Sequence, residues 1–170
     1  MALRAATYED ASSIAALSLE VWLSTYIRRG INGFFADYAL DTFTTARTRA
    51  ILNDPTECVT VSDNVEGIDG VLRLTHGRAA PVPGCSPVEI TTLYVQPRHQ
   101  GRGIGAGLLA HAQRCCVAAG APRPWLAVNA ENTAAVGFYA GQGFEIVGET
   151  HFSIADQSYP NHIMSLRPDI

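Results

Sequence analysis

The chain has 170 residues, of which 47% are hydrophobic and 16% charged, with a net charge of −4. That length suits a single domain spanning residues 1–170 with a sizeable buried core. With no apolar run long enough to span a bilayer and no basic-then-apolar leader, the expectation is a soluble, unexported, cytoplasmic protein with no membrane partner. All twelve cations are arginines, the longest cluster being Arg28-Arg29, so the electrostatic footprint of a nucleic-acid partner is missing. Cys58, Cys85, Cys115 and Cys116 form no CxxC, and the five histidines at 76, 99, 111, 151 and 162 stand apart. Neither a metal site nor a disulfide framework is expected.

In chain order, "LRAATYEDASSIAALSLEVWLSTYI" reads as a short strand and then a helix from about Tyr8. Glu9 and Asp10 stand in its first turn, and Ile14, Leu17, Val21 and Trp22 form its buried stripe. Residues 28–54 mix aromatics with polar residues and suggest one or two further helices. "ECVTVSDN" and "IDGVLRLTHG" then read as two antiparallel strands joined by a turn at "VEG". After the Pro/Gly-rich "AAPVPGCSP" comes the strand "EITTLYV".

Ile104, Leu108, Ala112, Cys115 or Cys116, and Ala119 recur at helical spacing, giving a helix of about four turns stopped at Gly120. "PWLAVNA" is a strand, "ENTAAVGFYAGQ" a short helix, "GFEIVGET" a strand and "SYPNHIMSLRP" a last strand. This order, without repeats or linkers, indicates one mixed α/β layer structure. Cys115 and Cys116 diverge by about 100 degrees on the helix and read as packing residues.

Gly101, Gly103 and Gly105 stand between a β-branched run and an Ala/Leu-rich run, and glycine weakens both strands and helices. Two readings compete: a plain turn, or a backbone that lies close to an anion at a helix N-terminus. A P-loop requires GK[ST], which a chain without lysine cannot supply. A dinucleotide fingerprint requires G-x-G-x-x-G, whereas Gly105 is followed by Ala106, and no acidic residue closes the next strand.

What does match is Q-x-x-G-x-G, at Gln100, Gly103 and Gly105, with a strand upstream and a helix downstream. Farther on, "NTAAVGFYAGQGF" matches N-x-x-A-x-x-F-Y-x-x-x-G-F at Asn132, Ala135, Phe138, Tyr139, Gly143 and Phe144. Together these motifs resemble the GNAT superfamily of N-acetyltransferases. The resemblance spans most of the chain and is weakest over residues 28–54 and after Glu149. It implies a mainly antiparallel central sheet of about six to seven strands, flanked by helices and splayed between "EITTLYV" and "PWLAVNA" to hold acetyl-CoA.

In the family's terms, Gln100, Gly101, Arg102, Gly103, Ile104, Gly105 and Ala106 would take the pyrophosphate, Arg102 and Arg98 adding charge-assisted contacts. Leu93, Tyr94 and Val95 would pair with the pantetheine arm, and the amide of Val95 would meet the oxyanion. Asn132 would contact the same arm; an Asn before Thr133 is also a good N-cap. Tyr139 corresponds to the general acid that protonates the departing thiolate; an amphipathic core tyrosine is the competing reading.

Glu89 shares a strand face with Thr91, Leu93 and Val95, and stands where some members carry a glutamate base. It is equally readable as a solvated strand-start residue. Trp22 and Tyr26, with Phe34, Phe35 and Tyr38, are candidates for an acceptor pocket, although aromatics at such spacing also build cores. Glu20, Asp37 and Asp156 read as ordinary surface acids able to attract a cationic amine, and His99 as exposed loop. The resemblance thus implies direct ternary-complex transfer to a primary amine on a small molecule, and it is compatible with a homodimer. A protein N-terminus or lysine is the alternative acceptor, and a non-catalytic acyl-CoA-binding module is the alternative class.

Overall fold

A computed structural model describes residues 2–166. Among these residues, seven strands form one mostly antiparallel open sheet in the order β1-β2-β3-β4-β5-β7-β6. They are β1 (Ala2–Ala5), β2 (Glu57–Asp63), β3 (Ile68–His76), β4 (Val88–Val95), β5 (Trp125–Asn129), β6 (Phe144–Ile154) and β7 (Gln157–Leu166). The helices are α1 (Ala11–Tyr26), α2 (Gly33–Thr42), α3 (Thr45–Asn53), α4 (Ile104–Ala118) and α5 (Thr133–Gly141). The mixed α/β class and the strand count expected from the sequence are those observed.

The chain divides into two compact units: residues up to Arg73 with Thr92–Leu109, and Leu74–Thr91 with the residues from Ala110 onward. In the first, β1 pairs antiparallel with β2 from Ala2 opposite Asp63 to Ala5 opposite Thr60. Helix α1 starts later than its apolar spacing suggests. The Thr7 N–H donates to Asp10 Oδ2 at 2.7 Å, and this capping box holds Tyr8–Asp10 as a 3-10 turn.

Ile14, Leu17 and Val21 of α1 then bury against Val61 and Val71. Asn32 accepts from the Phe35 amide at 3.1 Å and Thr44 from the Arg47 amide at 3.2 Å. These two caps resolve residues 28–54 into two helices rather than one. Asn64 Oδ1, accepting from the amides of Glu66 and Gly67, builds the turn into β3.

In the second unit, β4 and β5 run parallel with Glu89 opposite Trp125. Strand β7 pairs antiparallel with β5, from Trp125 opposite Ser165 to Asn129 opposite Asn161, and with β6 along its whole length. Strand β6 extends to Ile154, four residues past the "GFEIVGET" run, because Ala155 and Asp156 form a two-residue turn with Ala155 at φ 51°. The β6 ladder shifts register between Ile146 and Gly148. There a side chain at 148 would have its Cβ 2.4 Å from Val82, so glycine is what lets the Pro-rich loop lie on β6.

Candidate active site

The glycine loop lies wholly within the first unit and is tied at several points before the helix begins. The Gln96 amide donates to the Asp69 carbonyl at 2.9 Å, and the Gln96 carbonyl accepts from the His99 amide at 2.8 Å. Pro97–His99 forms a 3-10 turn. Gln100, the first residue of the motif, folds its side chain back and donates from Nε2 to the Val95 carbonyl at 3.2 Å.

Gly101 and Gly103 have φ of +75° and +81°, and a Cβ at either would meet nothing within 4 Å. Their glycines are therefore required by left-handed backbone, and the space in front of them is open. The first backbone bond of α4 runs from the Gly107 amide to the Gly103 carbonyl, 2.9 Å. Amides in a helix's first turn, here Ile104, Gly105 and Ala106, have no intrahelical acceptor and point toward the positive end of the dipole. Open glycines, orphan amides and an exposed Arg102 suit an anion such as a pyrophosphate.

A glycine the sequence did not flag seats this helix. At Gly70 of β3, a Cβ would lie 2.9 Å from Leu108 Cδ1, 3.0 Å from Ile104 Cγ2 and 3.4 Å from the Tyr94 carbonyl oxygen. The first turns of α4 therefore press directly on the β3 backbone. Beside the loop, a cleft of about 730 Å³ is lined by the Asn64–Asp69 turn and by Gln96, Arg98, His99, Arg102 and Ile104. His99 is half-buried rather than exposed, because its 3-10 turn packs it inward; among the described residues, its Nδ1 and the buried Asp69 Oδ1 have no hydrogen-bond partner.

Leu93, Tyr94 and Val95 occupy the end of β4 in the same unit, half-buried, with Tyr94 packed against the Ile14–Val71 core. Trp22 and Tyr26 are here too. Trp22 is 5% exposed and is ringed by Tyr26, Tyr38, Phe35 and Phe43 at centroid distances of 5.3, 5.2, 6.1 and 6.2 Å. It is the hub of an aromatic cluster, whereas Tyr26 is 42% exposed. Partial desolvation of its hydroxyl, and then Tyr38, pushes the Tyr26 hydroxyl above its ordinary value.

The second unit holds Glu89, Asn132 and Tyr139. Glu89 is buried rather than solvated, and its Oε2 accepts from Arg78 Nη1 at 2.8 Å. The carbonyl of Arg78 in turn accepts from Trp125 Nε1 at 3.0 Å. Two residues along, Thr91 Oγ1 meets Thr75 Oγ1 at 2.5 Å. Arg78 carried no sequence signal: it precedes an irregular loop, and only the fold returns it to β4.

Asn132 caps α5, its side chain accepting from the Ala135 amide at 3.2 Å. Tyr139 is half-buried in the last turn of α5, its ring 5.3 Å from Phe138 and 5.9 Å from Phe144 between centroids. Phe138 and Phe144 belong to the same sequence motif, so its aromatic positions fix the tyrosine ring.

The profile of the acetyltransferase (GNAT) family matches residues 26–144. An uncharacterized N-acetyltransferase of Mycobacterium tuberculosis is 30% identical over 119 residues, covering 70% of this chain and 72% of that protein. The peptidyl-lysine N-acetyltransferase YjaB of Salmonella typhimurium is 37% identical over 68 residues, covering 40% of this chain and 43% of that protein. Among solved structures, the PaiA N-acetyltransferase of Thermoplasma acidophilum in complex with coenzyme A superposes with a TM-score of 0.77 at 17% identity, covering 99% of this chain and 100% of that one. The chain therefore belongs to the acetyltransferase (GNAT) family, whose enzymes move an acetyl group from acetyl-CoA to an amine.

Proposed function

We propose that this chain acts as one cytoplasmic catalytic domain that transfers acetyl directly from acetyl-CoA to a primary amine on a small molecule. The observation that carries this reading is the open, left-handed glycine pair at Gly101 and Gly103 leading into the first-turn amides of α4. In the proposed mechanism those amides and Arg102 hold the pyrophosphate, while Leu93, Tyr94 and Val95 offer backbone to the pantetheine arm. Asn132 contacts that arm from its cap position.

The neutral amine attacks the thioester carbonyl, the Val95 amide stabilises the oxyanion, and the Tyr139 hydroxyl protonates the departing thiolate. Glu89 takes the amine's proton through water, with Arg78 holding its carboxylate in place. Tyr26, backed by the buried Trp22, lines the acceptor side. No cysteine falls within the two matched motifs, which favours direct transfer over an acyl-enzyme.

A thiol-release assay over a panel of small amines tests this, with turnover on at least one amine expected. The similarity to a peptidyl-lysine acetyltransferase supports a second reading, in which the acceptor is a lysine or N-terminus of a peptide. Turnover on peptides but on no small amine selects that reading. Acetyl-CoA binding without turnover on either panel selects a non-catalytic module.

A further inference from the structure

Glu20 projects from α1 with no motif around it, yet it reaches across 76 residues of sequence to the entrance of the glycine loop. Gln96 Nε2 donates to Glu20 Oε2 at 2.9 Å, and Arg98 Nη2 stands 3.7 Å from Glu20 Oε1. Gln96 is thereby fixed on three sides: by its amide to Asp69 of β3, by its carbonyl to the 3-10 turn, and by its side chain to α1. The neighbours of Glu20 make α1 a firm anchor, since Leu17, Val21 and Trp22 are all buried.

From Gln96 the chain runs through the single turn Pro97–His99 and reaches Gly101 with nothing but Gln100 between. Any displacement at Gln96 is passed to the left-handed glycines and the first amides of α4. A bond from a neutral amide to a carboxylate is stronger and shorter than one between neutral groups, which suits a restraint on a loop. Arg98 is held more loosely, its side chain 73% exposed, and is free to turn toward the cleft it lines.

We infer that Glu20 is a positioning residue for acetyl-CoA: it clamps Gln96 and so holds the phosphate loop in its binding geometry from the helix that also carries Trp22 and Tyr26. This rests on reading Gln100–Ala106 as the donor loop. The same clamp ties the acceptor-side helix to the donor loop through one hydrogen bond.

The experiment is titration calorimetry of the full chain with acetyl-CoA, using Glu20→Ala, Glu20→Gln, Gln96→Glu and the exchanged pair E20Q/Q96E, with Gly103→Ala as a control on the loop itself. A glutamine at 20 still offers an oxygen to Gln96 but without the charge, so E20Q weakens binding only about threefold, whereas E20A weakens it about tenfold, the equivalent of one lost charged hydrogen bond. Q96E sets two carboxylates against each other and weakens binding similarly, and the exchanged pair restores it. Melting temperatures of E20Q, Q96E and the exchanged pair, which are nearly isosteric, separate loop positioning from loss of fold. E20A binding like wild type, or no recovery in the exchanged pair, overturns the inference. Unchanged binding in Gly103→Ala overturns the donor-loop reading and the inference with it; weakened binding there alone overturns only the role of Glu20.

Discussion

Arg78 donates to Glu89 at 2.8 Å while its own carbonyl accepts from Trp125, so the carboxylate at the start of β4 is fixed by a residue eleven positions earlier. A carboxylate held this way keeps its orientation without a dedicated loop of its own, as the proposed base requires. Glu89→Gln is expected to lower kcat/KM about a hundredfold, the usual scale for loss of a general base. An unchanged kcat/KM removes Glu89 from the chemistry. Arg78→Ala is expected to cost about 1–3 kcal/mol of stability, because it leaves the buried Glu89 carboxylate without its partner, a cost that water at the half-exposed Arg78 position moderates.

At Gly103, alanine is expected to cost about 1–2 kcal/mol for placing a Cβ on left-handed backbone at φ +81°. For a chain of this length, each kcal/mol lowers the melting temperature by about 2–4 °C. The same methyl projects into open space in front of the loop, so acetyl-CoA affinity falls by more than the stability change explains. Calorimetric binding and a melting curve on one preparation check both.

Gly70→Ala tests the seat of α4. Its Cβ would come within 2.9 Å of Leu108, a fully buried side chain, so the helix start must shift or the core must strain. The expected cost is about 1–3 kcal/mol, the range for overpacking a core. Because Ile104 is the other close neighbour, acetyl-CoA binding is expected to weaken alongside the fall in melting temperature.

How much of this was readable in the sequence depends on distance along the chain. The Gln100–Gly105 and Asn132–Phe144 motifs are local, and a turn, a helix start and an N-cap follow from neighbouring residues alone; both stand where their spacing indicates. Glu20 and Gln96, Arg78 and Glu89, Gly70 and Leu108 are pairs made by the fold, and neither member carries a periodicity or motif that names its partner. Trp22 shows the limit differently: apolar spacing placed it on the buried stripe and aromatic character in a pocket, and packing made it the centre of a cluster. The end of β6 was hidden because a two-residue turn with alanine at positive φ lacks the usual Asn-Gly or Asp-Gly signal.

Acid stability supplies a prediction independent of catalysis. The hydrogen bond from Arg4, assisted by the Thr7 amide, holds the Asp10 carboxyl down from 3.8 to about 2. A depressed carboxyl stabilises the fold fully above its unfolded value and loses that contribution as pH falls through the folded one. Melting temperatures of wild type and Asp10→Asn should therefore differ at pH 5 and above and converge as pH drops from about 4 toward about 2. A constant difference across that window contradicts the assignment.

Acetyl transfer with Tyr139 as the proton donor is tested most directly by comparing Tyr139→Phe with wild type in a thiol-release assay on whichever amine the wild type accepts. Phenylalanine keeps the ring contacts with Phe138 and Phe144 and removes only the hydroxyl. Turnover is expected to fall about a hundredfold or more, with acetyl-CoA affinity within about twofold of wild type. Turnover in Tyr139→Phe equal to that of wild type would contradict it.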